Sequence, residues 1–95
     1  MEKEVLETLF QGKGISIRRI ISRGQTTDWL EQDTSEWVML VSGAAKLFFE
    51  EGNRELKMKP GDHVHIPAGC RHRVSWTDPA QESVWLAVHY QETQV

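Results

Sequence analysis

Four residues of this sequence stand out as able to bind a metal or move a proton: Glu36, His63, His65 and His72, with His89 as a fifth near the end. His63 and His65 are two apart in His63-Val64-His65-Ile66. A strand sends alternate side chains to one face, so both would point the same way, as a two-histidine metal site on a strand requires. Val64 and Ile66 compete with them for the core, and periodicity alone leaves the direction open. By the same rule Glu36, Val38 and Leu40 share a face, and so do His72, Val74 and Trp76. Imidazole and carboxylate together suit a divalent metal such as Zn, Fe, Mn or Ni. A buried acid beside a histidine can equally serve as general acid or base. The ordinary roles are surface histidines, a His72 that pins its loop by a hydrogen bond, and a Glu36 that accepts hydrogen bonds.

These residues need strands to hold them, and the sequence is punctuated accordingly. Ile15 to Ile21 is rich in β-branched residues, and Glu36 to Val41 is a second strand closed by Ser42-Gly43. Ala44 to Glu50 follows, with Ala45, Leu47 and Phe49 on one parity. Glu51-Gly52-Asn53 reads as a hairpin turn before Glu55 to Met58. Pro60-Gly61-Asp62 turns the chain into His63 to Ile66. Pro67, with no N–H to donate, ends that strand, and Gly69 permits a backbone angle other residues avoid. Strands from His72 and from Val84 to Tyr90 complete the set. Seven or eight short strands, with no helix after residue 14, predict a closed antiparallel barrel or jelly roll.

Residues 1–14 read differently. Val5, Leu6, Leu9 and Phe10 fit a turn or two of amphipathic helix, ended by Gly12 and Gly14. Glu7 to Gly12 also resembles a viral 3C-type protease cleavage site. The sequence continues past it without a linker, so the segment is read as a native arm that packs on the barrel or on a partner subunit. Residues 15–95 form the barrel domain.

Composition narrows the function. At 95 residues the chain is one domain, near the size where a single core becomes self-sufficient, so pairing with a second copy would help. Fourteen acidic against eleven basic residues give a net charge of -3, which argues against a nucleic-acid partner. The single cysteine, Cys70, rules out an internal disulfide and a cysteine zinc site. Cys70 reads as a plain loop cysteine, the alternative being a thiol whose pKa is lowered by Arg71 next to it and His72 two residues on. No apolar run approaches the roughly 18–20 residues that span a bilayer, and the acidic start is wrong for a secretion signal. The expectation is a soluble cytoplasmic protein.

Gly61, Pro67, Gly69 and His72 have the spacing G-x5-P-x-G-x2-H, and Glu36 followed after six residues by Gly43 has the spacing E-x6-G. In both, the chain resembles the cupins, small β-barrel proteins, over roughly Ile15 to Tyr90. The resemblance implies an all-β cupin jelly-roll barrel with a short N-terminal arm and an inward-pointing His72 in a metal-binding position. Counted from Gly24, the two histidines of the first motif fall on Leu30 and Gln32, and the Asn position four after His72 is Trp76. Two ligands of the usual three-histidine, one-glutamate set are therefore absent. By analogy Glu36 and His72 face one cavity, where Gln32 could add an oxygen and His63 or His65 a nitrogen, and His89 is a last candidate. The cavity would be walled by Val38, Leu40, Val74 and Trp76. Trp37 and Trp85, of opposite parity to core-facing neighbours, would lie outside at a subunit interface. Arg18, Arg19, Arg71 and Arg73 would form a charged face or greet an anion at the barrel mouth. The implied function is small-molecule binding with a divalent metal as an option. The alternative is a metal-dependent dioxygenase or isomerase, and in either case the chain would be a homodimer.

Overall fold

The computed structural model describes residues 3–92. Eight strands run in the order β1 (Val5–Gly12), β2 (Ile15–Ser22), β3 (Ser35–Ser42), β4 (Ala45–Phe49), β5 (Arg54–Met58), β6 (His63–Ile66), β7 (His72–Thr77) and β8 (Ser83–Tyr90). They form two antiparallel sheets, β1-β2-β8-β3-β6 and β5-β4-β7. The all-β expectation holds, and one short 3-10 turn at Glu51–Asn53 takes the place read as a hairpin turn.

Residues 5–12 correct the first expectation: they are a strand, not a helix. Eight residues are too few for a stable isolated helix, whereas β2 offers an open ladder with which they pair from Val5↔Ile21 to Gly12↔Ile15. The register shifts between Thr8 and Phe10. Such a bulge breaks the two-residue period and gives the apolar positions their helix-like spacing.

The core follows the alternation. Ala45, Leu47 and Phe49 on β4 face Val38 and Leu40 on β3 and Trp85 and Ala87 on β8, all buried. Gly43 (φ 91°) makes the tight link between β3 and β4. A Cβ there would come within 2.5 Å of the Ser83 Cα and 2.7 Å of the Glu82 carbonyl oxygen. The neighbouring Ser83 hydroxyl donates to the Ala44 carbonyl (3.0 Å) and accepts from the Ala44 N–H (3.2 Å), stitching the two sheets at that corner.

Two loops set the cavity end. Gly69 (φ 78°) lets the chain turn after Pro67, and its N–H donates to the Gln32 carbonyl (2.8 Å). Leu30 bridges His72 by two backbone hydrogen bonds, Leu30 N–H to the His72 carbonyl (2.6 Å) and His72 N–H to the Leu30 carbonyl (3.0 Å). The segment between β2 and β3 is thereby drawn across the barrel end.

Candidate functional site

Register brings three polar side chains together inside the barrel. Glu36 on β3 pairs with His89 on β8, and β7 carries His72 in from the other sheet. His89 Nε2 lies 3.3 Å from Glu36 Oε2, and His72 Nε2 lies 3.5 Å from Oε1. The side chains are 4% (His72), 11% (Glu36) and 15% (His89) exposed. Burying a carboxylate is costly unless it is compensated, and here each oxygen faces an imidazole.

The His72 ring is fixed at its other end. Nδ1 lies 2.9 Å from the Cys70 carbonyl oxygen, which can only accept, so Nδ1 carries a proton. A proton between Nε2 and Glu36 therefore makes His72 an imidazolium or leaves Glu36 protonated. Burial is the largest single influence and lowers the His72 pKa. The Glu36 contact, the Cys70 carbonyl and the Glu36 charge together outweigh it, so the pKa lies above its ordinary 6.5. The pair can thus hold a proton in a largely buried place.

Around it is a cavity of about 190 Å³. That is below the roughly 300–1,000 Å³ of common ligand pockets, with room for about six water molecules at roughly 30 Å³ each. Val38, Leu47, Ile66, Val74 and Trp85 give it apolar walls. Leu30 and Gln32, at the positions where cupins keep two histidines, do line the space, together with Thr27 and Arg18.

Several expected residues lie elsewhere. Ile66 pairs with Glu36 and Val64 with Val38, so Val64 and Ile66 take the inner face. His63 and His65 therefore point outward and cannot join Glu36 and His72. His63 packs on Trp37, while His65 stacks on Tyr90 and meets Glu92 at 3.4 Å. Trp76 also lies outside, 37% exposed, with Lys46 over its ring. The register of β7 against β4 jumps from Lys46↔Trp76 to Leu47↔Val74, so Ser75 is an extra residue that reverses the parity beyond it. Leu40 is fully buried core and is not part of the cavity wall.

The reverse error affects Trp85, expected outside and found buried at the cavity wall. Residues 85, 87 and 89 share one face, so His89 comes in with it; that shared parity was the usable signal. Trp37 faces outward as expected, opposite Val88. Of Arg18, Arg19, Arg71 and Arg73, Arg18 alone lines the cavity. Arg19 pairs with Glu7 (3.0 Å), Arg71 meets Glu50 (3.5 Å), and Arg71 and Arg73 lie over Trp29. The Cys70 thiol is pushed up, chiefly by burial, rather than down.

The cupin domain's sequence model matches residues 19–89. The chain belongs to the cupin family. No curated protein matches it. Among solved structures, a Ralstonia eutropha protein described as a "putative mannose-6-phosphate isomerase" is 44% identical, with a TM-score of 0.93 over 97% of this chain and 88% of that one. A cupin superfamily protein from Desulfitobacterium hafniense is 15% identical, with a TM-score of 0.83 over 96% and 80%. A polyketide cyclase from Streptomyces resistomycificus is 19% identical, with a TM-score of 0.80 over 96% and 67%. The last two share the fold alone.

Cupins often bind a metal, so the donor set of this cupin decides what it can hold. Among the described residues no three of His, Cys, Asp and Glu are arranged to hold a metal ion. The two oxygens of Glu36 face different imidazoles, His63 and His65 are outside, and one of the two first-motif positions is the apolar Leu30. The family's three-histidine, one-glutamate set is therefore not present here. No helix among the described residues is long and apolar enough to cross a membrane.

Proposed function

We propose that this cupin binds a small polar molecule in its barrel cavity, against the Glu36–His72–His89 cluster. One observation carries the reading: a buried carboxylate flanked by two imidazoles lies in the wall of an otherwise largely apolar cavity. Such a set recognises hydroxyl or carbonyl groups, and the proton shared by Glu36 and His72 can be given to or taken from a bound molecule. Thermal shift with a panel of small hydroxylated metabolites tests it. Hits on the wild type that disappear in both Glu36→Gln and His72→Asn are expected, and hits unaffected by either variant would overturn it. The same protein, offered Fe(II), Mn(II), Zn(II) and Ni(II) and then desalted, is expected to retain background metal. Near-stoichiometric retention of one metal would establish a site that the donor set does not predict.

A second reading, favoured by the 44% likeness to the Ralstonia protein, is isomerisation of a sugar phosphate. Moving a proton between adjacent carbons needs one base within reach, a role for Glu36 or His72. Incubation with mannose 6-phosphate in deuterated water, followed by NMR, separates the two readings: exchange at C2 supports catalysis, and no exchange leaves binding alone.

We also propose a cytoplasmic homodimer, joined along β1. This strand is a sheet edge with Val5, Leu6, Leu9 and Phe10 each 41–53% exposed. Unpaired apolar edges invite pairing, and a second copy could add its own β1 antiparallel in an isologous contact.

A further inference from the structure

We propose that the ligand of this cavity is a small hydroxylated anion, gripped by Arg18 through its charged oxygens and by Gln32 through a hydroxyl; this rests on the cavity being a binding site. Two polar groups that line it have no partner. The Arg18 Nε is buried and makes no hydrogen bond, and Gln32 Oε1 is in the same condition. Both are held there by the fold. Arg18 sits on the inner face of β2, in register with the buried Ala87, between Ser16↔His89 and Ile20↔Trp85. Gln32 is anchored by its carbonyl to the N–H of Gly69.

Arg18 pairs with no acid among the described residues. Glu4 lines the same cavity, yet its carboxylate accepts from the Ser22 hydroxyl at 3.1 Å instead. Arg19, the next residue, is matched to Glu7 on the exposed side of the strand. A guanidinium is always charged, and its fork suits carboxylate and phosphate oxygens. An unpartnered buried donor lowers stability unless something binds it, so a ligand oxygen is the partner the geometry lacks. Gln32 specifies the second feature. Its amide can donate or accept and so can a hydroxyl, so the two match whichever way the amide is turned. Glu36 repels a second anion, which directs the charged end of the ligand to Arg18 and its neutral hydroxyl end towards Glu36 and His72. Hydroxycarboxylates and sugar phosphates share this pattern.

Isothermal titration with glycerate and glycerol 3-phosphate, against glycerol (no charge) and propionate (no hydroxyl), tests the assignment and separates the two anion sources. At least one hydroxylated anion should bind, with both controls roughly 10- to 100-fold weaker, the worth of one charged hydrogen bond. Arg18→Gln should remove the preference for the anion over glycerol, and Arg18→Lys should keep part of it. Glycerol binding as tightly as the anions, or an unchanged preference in Arg18→Gln, would overturn this inference while leaving the cavity a binding site. Binding by none of the four would overturn it as well, and if the thermal-shift panel also gives no hits the binding reading falls with it. A ligand-free test guards against a variant that fails to fold. Arg18→Met should melt no lower than the wild type, because it relieves an unmatched buried group, and a Tm lower by more than roughly 4 °C would make Arg18 structural.

Discussion

Replacing Glu36 by Gln should destabilise the protein in a way that depends on pH. In the wild type the folded His72 pKa lies above 6.5. Between the unfolded and folded values the native state binds the proton more tightly. The resulting stability is complete below about pH 6.5 and is lost as pH rises through the folded pKa; it amounts to about 1.4 kcal/mol for each pH unit by which the folded value exceeds the unfolded one. The variant keeps the burial, which is the largest influence and lowers the pKa, and loses both contributions of Glu36. The Cys70 carbonyl alone does not balance burial, so the variant's His72 pKa should fall below its unfolded value, and the variant should weaken as pH drops. Near pH 5.5, one unit below the unfolded value, holding His72 neutral costs the variant about 1.4 kcal/mol by linkage, added to the stability that the wild type draws there from its raised pKa. Towards the alkaline end, as the wild type loses its His72 proton, the gap narrows to about 1–2 kcal/mol for the lost polar contacts. A domain of this size has of the order of 5–14 kcal/mol in all, so the variant should still fold. Urea unfolding from pH 5.5 to 8.5, with m of about 1 kcal/mol/M, resolves the difference as a midpoint shift larger by about 1 M or more at the acid end. His89, Arg18 and Glu4 line the same cavity, so the profile should be repeated in His89→Gln to assign the titration. A cost independent of pH, or larger at pH 8.5, would refute the claim that Glu36 holds the proton on His72.

The remaining predictions concern packing and assembly. Gly43→Ala should cost about 3 kcal/mol or more, because its φ of 91° and the Ser83 backbone 2.5 Å from the new Cβ admit no side chain; thermal melting reads it, and a cost below about 1 kcal/mol would contradict the close approach. Trp85→Ala should cost about 3–5 kcal/mol as a buried aromatic truncation, and Trp76→Ala about 1 kcal/mol or less; equal costs would mean that the bulge at Ser75 is misplaced. Leu6→Glu with Phe10→Glu should convert a dimer to a monomer in light scattering, and an unchanged dimer would move the interface off β1.

Much of this architecture is written locally. The Pro67-Ala68-Gly69 loop, the strand from His63 to Ile66 and the alternation of Ala45, Leu47 and Phe49 depend on single-residue conformational limits and on a period of two, so they can be read from the chain directly. Glu36, Gln32 and His72 were legible as cavity residues for the same reason, with the spacing of the two cupin motifs to orient the strands. What periodicity lacks is an absolute direction. His63 and His65 face out because Val64 and Ile66 gain more by burial opposite Val38 and Glu36, a choice made by the partner strand. Trp76 and Trp85 exchanged their expected positions for related reasons: Ser75 is a bulge invisible in the sequence, and Trp85 follows the inner face of a strand held between two neighbours. The sequence by itself determined the strands after residue 14, most of the turns and the family, because these rest on local sterics and spacing, whereas β1 took its form from pairing with β2. Only the tertiary structure decided that His89 and Arg18 share a cavity with Glu36 and His72, because their meeting depends on the register of strands far apart in the chain.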